Sequence, residues 1–334
     1  MAATRSLLVL TRDRTSASFR QRVELYLEAL GSRGISWQVA ELSKGPLGRR
    51  RGLAMADRFG AVLLHRKTLT AWDAWCLGRR APLIYDFDDA IMYQARAPDD
   101  PHGPRLRRFR RTVRRAARVI AGSPVLEEHA TDAGARAASV LPTGLDIRRY
   151  PRPQSYERAG PTRLVWIGTH STLKQLEEMG PVLEAIGREA PGVVLRVICD
   201  APLGAPGLAV ENVPWNRDVE ARLVAESSIG IAPLPDTAYT RGKCGFKVIQ
   251  YMAAALPVIA SPVGANAAYV EPEETGLWAR TPEEWVEAVR RLAGDAALRE
   301  RFGLAGRARA AARFDAAVLA PTFCDLVEQV LGRL

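Results

Sequence analysis

Lysine is scarce in this chain: there are five in 334 residues, at positions 44, 67, 174, 243 and 247, among 47 basic side chains. Arginine therefore carries nearly all of the net charge of +10. Codon composition often produces such an imbalance, so the charge alone is a weak argument for a nucleic-acid partner, and none is expected. Cysteine is scarce too. The four (Cys76, Cys199, Cys244 and Cys324) form no CxxC pair, which argues against a disulfide framework and a structural zinc. No apolar run approaches a membrane span, and the run at 6–10 is too short for a signal-peptide core. Solenoid repeats and low-complexity tracts are also lacking. A cytoplasmic protein of two ordinary domains is the expectation, with 47% apolar residues to build their cores.

What is present is alternation. Short apolar runs at 6–10, 36–40, 61–65, 82–86, 118–122 and 138–142 read as strands, separated by helical patterns such as Phe19, Val23, Tyr26/Leu27 and Leu30. A Pro-, Gly- and charge-rich stretch follows at 142–163 and has no periodicity. Alternation restarts with strands at 163–168, 193–199, 208–213, 228–235 and 257–261. Leu173, Leu176, Met179, Leu183 and Ile186 then read as one face of a single helix, and the end of the chain is all helix. The pattern predicts an α/β protein of two doubly wound, Rossmann-like domains facing a central cleft. Its divisions are a first domain at 1–150, a linker at 151–162, a second domain at 163–313 and a closing helix at 314–334.

The stretch "RGKCGFKVIQYMAAALPVIASPVGAN" (241–266) concentrates cations. Arg241, Lys243 and Lys247 crowd the start of a helix whose apolar face is Phe246, Ile249, Met252 and Ala253. Gly242 and Gly245 allow backbone to approach a ligand. A helix N-terminus already favours anions, and these cations deepen the site enough for a diphosphate. Gln250, one turn past Phe246, is placed to meet hydroxyls. The alternative is an ordinary helix start with solvated lysines.

This segment resembles the donor-site helix of GT-B glycosyltransferases, especially the family 4-like, group 1 type, where E-G-F-G-x-x-x-x-E-x-M-A-x-G-x-P-V-I-A recurs. The resemblance extends to "RVIAGSPVLEEHA…SVLPTGLDIRRY" (118–150), to "LVWIGTHSTLKQLEEM" (164–179) and to the closing helix, which in relatives often crosses back to the first domain. It implies an acceptor-side first domain and a nucleotide-sugar donor domain. It also implies a retaining, metal-independent transfer with no cofactor. Donor-binding residues would be Gly168, Thr169, Lys174, Lys243, Gly245, Phe246, Lys247 and Gln250. Trp215 in "NVPWNRDVE" would lie beside the nucleobase, either stacking on it or filling core. The sequence departs from the family at two glutamates. One is replaced by Gln250 and the other falls at Gly242, with Asp236 a partial substitute. The family's glycine-rich first loop is replaced by "TRDRTSASFRQR" (11–22), whose Ser16 and Ser18 are good N-caps and whose Arg20 and Arg22 are placed to meet phosphate or acceptor. The expected partners are a nucleotide sugar and an acceptor glycan, glycolipid or small molecule. A nucleotide-sugar 2-epimerase and a non-catalytic nucleotide-sugar-binding protein share the architecture and stay open.

Two patches remain. "PLIYDFDDAIM" (82–92) sets Asp86, Asp88 and Asp89 within four positions, a costly arrangement unless something relieves it. A metal site lacks further ligands of recognisable spacing, and Ala90 breaks the phosphatase pattern D-x-D-x-[TV]. A mundane alternative has one carboxylate capping a turn and another paired with Arg20 or Arg66. The catalytic reading places Asp88 at the sheet's carboxyl edge to orient an acceptor or take its proton, with Asp86 more structural. "RLRRFRRTVRRAAR" (105–118) is either a solvated helix face or a docking site for anionic lipid headgroups, which would put the protein at the inner face of a membrane.

Overall fold

The computed structural model describes residues 5–94, 96–157 and 160–332. They divide into two compact units. One comprises the chain up to Leu145, Thr237–Cys244 and Ala316 onward; the other comprises Asp146–Asp236 and Gly245–Asp315.

The first unit carries strands β1 (Ser6–Thr11), β2 (Ser36–Glu41), β3 (Ala61–His65), β4 (Leu83–Phe87), β5 (Arg118–Ala121) and β6 (Ala138–Val140), in the order β2-β1-β3-β4-β5-β6. All pairings are parallel. Leu7 to Leu10 have no exposed surface, because helices cover both sheet faces; such strands read as unbroken apolar runs. Around them lie α1 (Ala17–Arg22), α2 (Leu27–Ser32), α3 (Pro46–Ala54), α4 (Ala71–Cys76), α5 (Gly103–Arg115) and α6 (Pro124–Asp132). The apolar side of α5 is spent on the core. Phe109 and Val113 are buried, with Phe109 edge-on to Phe87 at 5.3 Å.

The second unit repeats the plan with β7 (Thr162–Ile167), β8 (Val193–Cys199), β9 (Ala209–Pro214), β10 (Ile229–Ala232), β11 (Val258–Ala260) and β12 (Gly276–Trp278), in the order β12-β11-β10-β7-β8-β9, also parallel. Helices α7 (His170–Glu177), α8 (Gly180–Glu189) and α9 (Glu220–Ala225) follow its first strands. The single helix expected over Leu173–Ile186 is thus two. Pro181 sits in the first turn of α8, where its missing N–H costs nothing, and the helix restarts there; all five apolar residues are buried. Strand β12 was not anticipated, since three edge residues show no period.

Next come α10 (Ala238–Arg241), α11 (Phe246–Ala253), α12 (Ala265–Tyr269), α13 (Pro282–Gly294), α14 (Ala296–Phe314) and α15 (Ala316–Leu331). α15 belongs to the first unit, where Phe323 stacks on Tyr26 at 4.9 Å. The aperiodic stretch after 142 is not loose. The Tyr150 hydroxyl accepts from Gln250 Nε2, and the Tyr156 hydroxyl donates to Ala255 O at 2.8 Å; residues 158 and 159 lie outside the described residues. In each sheet the strand order reverses once, between β1 and β3 and between β7 and β10. Open α/β sheets bind ligands outside the strand ends at such points.

Candidate active site

At the reversal in the first unit, β1 ends in Thr11 and β3 in His65. The imidazole is buried, with Nδ1 3.2 Å from Thr11 Oγ1 and Nε2 2.9 Å from Ser18 Oγ. Burial holds its pKa below the ordinary value, so the ring is neutral at pH 7. Ser16, as expected, caps α1 by accepting from Phe19 N. Ser18 is not a cap; it lies inside the helix and serves His65. Arg20, expected to meet phosphate or acceptor, is 8% exposed and donates to Thr15 O. Arg22 is fully buried and makes a two-pronged ion pair with Asp86, at 2.5 and 3.2 Å. Asp86 is thereby a strut tying β4 to α1.

Asp88 and Asp89 share one cation, Arg66, whose Nε lies 3.2 Å from Asp88 Oδ1 and whose Nη2 lies 2.6 Å from Asp89 Oδ2. Arg66 has φ +56°, a left-handed conformation that costs a long side chain roughly 1–2 kcal/mol. Such strain concentrates where a group must be aimed. Burial opposes the Asp88 charge, but Arg66, His65, Arg22 and the Ser18 hydroxyl outweigh it and hold the pKa below the usual carboxylate value. Asp88 Oδ1 is buried and receives no hydrogen bond among the described residues. Its contact with Arg66 Nε is therefore an ion pair rather than an aligned hydrogen bond, and the carboxylate stays an ionised acceptor.

Residues 237–244 close over this cluster as part of the same unit. Ala238 N donates to Asp99 Oδ1, Tyr239 N to Pro98 O, and the Cys244 thiol to Asp88 O at 3.0 Å. Burial pushes that thiol far above its ordinary pKa, so it stays protonated. Lys243, read as a diphosphate ligand, instead has its ammonium 3.9 Å from Asp89 and 5.0 Å from the Tyr239 ring centre. A Cβ at Gly242 would lie 2.5 Å from that of Ala90, so the family's glutamate has no room here.

In the second unit, β7 runs into Gly168 and Thr169 at the other reversal. Thr169 N donates to Thr172 Oγ1, but the start of α7 already holds an anion: His170 N donates to the Asp200 carboxylate at 2.5 Å. That bond lowers the Asp200 pKa. Lys174 lies at the surface, with 76% of its side chain exposed and Glu178 3.6 Å away. The start of α11 differs. Gly245 caps it at φ +59°, with Tyr269 packed close against its Cα, and no acidic residue occupies the first turn. Lys247 lies over the Trp166 ring at 4.7 Å, and the buried indole N–H of Trp166 has no hydrogen-bond partner among the described residues. Gln250, expected to meet ribose, is 3% exposed and donates to the Tyr150 hydroxyl at 3.1 Å, so it braces the unit instead. Trp215 is not core filler. It is 38% exposed and its N–H donates to Glu220 at 2.6 Å.

The structure therefore gathers Ser18, Asp86 and Asp88 in one cluster and Gly245, Phe246 and Lys247 in another. Sequence reasoning missed His65, which ends an apolar strand and looks like core. No group of three or more His, Cys, Asp or Glu among the described residues is arranged to hold a metal ion.

Residues 161–295 match the family described as glycosyl transferases group 1. Sucrose-phosphate synthase from Thermosynechococcus elongatus superposes with a TM-score of 0.77 at 16% identity, covering 98% of this chain and 100% of its own. HepE from Anabaena, in complex with UDP and glucose, gives 0.73 at 17%, with 97% and 99% covered. A glycosyltransferase from Rickettsia africae gives 0.74 at 14%, with 98% and 99% covered. No curated protein matches the chain in sequence. The architecture is GT-B, with two Rossmann-like units.

Proposed function

We propose that the chain is a glycosyltransferase moving a sugar from a nucleotide-diphosphate donor to an acceptor hydroxyl on a glycan, glycolipid or small molecule. The carrying observation is that the group 1 match falls on the unit whose α11 start is built for an anion. The diphosphate sits against the α11 N–H groups and Lys247, which stabilise the charge that grows as the sugar–phosphate bond breaks. Trp215 offers an exposed ring to the base.

The first unit handles the acceptor. Its hydroxyl donates to the carboxylate of Asp88, which Arg66 holds just past the end of β4. Because Arg66 and its neighbours keep Asp88 ionised, the carboxylate is a weak base and orients more than it deprotonates. The acceptor oxygen bonds to the anomeric carbon, the electron pair of the broken bond leaves with the diphosphate, and the proton passes to that departing group. Retention and independence of metal and cofactor belong to this reading, as does a cytoplasmic location. Incubation with UDP-, GDP-, ADP- and dTDP-sugars tests it. Slow donor hydrolysis that EDTA leaves unchanged is the expected result; an epimer formed from donor alone would overturn it.

A further inference from the structure

The lipid-docking role expected of the arginine-rich α5 needs an apolar anchor, and α5 has none left, since Phe109 and Val113 are in the core. The neighbouring α4 supplies one. Trp72 and Trp75 stand 43% and 66% exposed and pack on each other at 5.1 Å with planes tilted by 32°. That tilt offers no flat platform for a sugar ring, but a bulky amphipathic wedge.

The surroundings are cationic. The one acidic residue of α4, Asp73, is buried and paired with Arg49 (2.9 Å) from α3 and with Lys67 (3.4 Å). Neither α3 nor α5 contains an acidic residue. On α5 the stripe Arg107, Arg111, Arg115 borders α4: Arg111 donates to Leu69 O, just before α4, and Arg115 to Gly78 O, just after it. Arg107 and Arg108 lie one turn back and are exposed, as are Arg50 and Arg51 on α3 and Arg79 and Arg80 beyond α4. Arg115 is buried enough, and close enough to Arg79 and Arg136, to have its pKa lowered.

We propose that this α3–α4–α5 face docks on an anionic phospholipid bilayer, with Trp72 and Trp75 inserted at headgroup depth and the arginines on lipid phosphates. Tryptophan favours that depth, and tilted stacked rings beside exposed arginines match an interface that is apolar and anionic at once. The inference holds whether or not the chain transfers sugar, because its readout is binding.

The test is flotation of the whole protein with vesicles of phosphatidylcholine alone or mixed with phosphatidylglycerol. Salt-sensitive binding to the mixed vesicles only is expected. Trp72→Ala/Trp75→Ala, at exposed positions whose loss leaves the melting curve in place, should weaken it by roughly an order of magnitude. Arg107→Gln and Arg108→Gln should each cost about fivefold, equivalent to the ~1 kcal/mol each cation contributes near an anionic surface. Absence of binding to mixed vesicles, or undiminished binding by the double tryptophan variant, would overturn the proposal. So would concentration-dependent self-association lost in that variant without vesicle binding, which would make the face a contact between copies.

Discussion

The two units share a plan, yet treat charge at their strand ends in opposite ways. In the first, three carboxylates within four residues are each met by a cation: Asp86 by Arg22, Asp88 by Arg66, Asp89 by Arg66 and Lys243. In the second, the start of α7 is filled by the chain's own Asp200, while the start of α11 has no acidic residue in its first turn. A neutralised cluster has hydrogen-bond acceptance to offer, which suits a hydroxyl. A helix start with no acidic residue in its first turn suits a diphosphate. Under the proposed function, one fold used twice would divide the labour of a transfer between acceptor and donor.

The comparison breaks most violently at Arg22. Arg22→Leu leaves Asp86 buried without its partner, and should cost the first unit about 3–5 kcal/mol in urea unfolding, the usual penalty for orphaning a buried charge. Lys247→Ala should weaken nucleotide-sugar binding by about 1.5–3 kcal/mol, the scale of a charge-assisted hydrogen bond, measured by titration calorimetry. Gln250→Ala sharpens the contrast. It removes a buried hydrogen bond to Tyr150, so about 1–3 kcal/mol of stability should go, with donor affinity moving less. Lys174→Ala, on an exposed ammonium, should change donor affinity least.

Acid should act on the first unit. His65 has a depressed pKa, so the unfolded chain binds its proton more readily, and stability should fall as pH drops through about 6.5, the ordinary histidine value. Asp88 is also depressed, so its contribution is present above the ordinary carboxylate pKa and lost as pH falls below it. Melting temperature against pH should therefore decline in two stages, and His65→Gln should shrink the upper one, to which His129, also depressed by burial, contributes the rest.

Much of the fold was legible because doubly buried strands must be apolar throughout, and those runs mark β1, β3, β4 and β8. Strand β12 was hidden by its length, and the division between α7 and α8 was written in Pro181 but masked by an apolar spacing that both helices continue. The site was legible only in part. Asp86, Asp88 and Lys247 announced themselves by charge in apolar company. The partners did not: Arg22 and Asp86 lie 64 residues apart, and Arg22 is one arginine among dozens. Lys243 and Lys247 looked equivalent in sequence, and only the folding of 237–244 with the first unit separates them.

Asp88→Asn, assayed for nucleotide affinity and turnover beside Lys247→Ala, tests the division of labour most directly. UDP is the first nucleotide to try. The account predicts that Asp88→Asn binds nucleotide like the wild type while turnover falls at least ~100-fold, the lower range for a positioned acid–base or orienting group, and that Lys247→Ala loses affinity. Equal loss of nucleotide affinity in both variants, or unchanged turnover in Asp88→Asn, would contradict it.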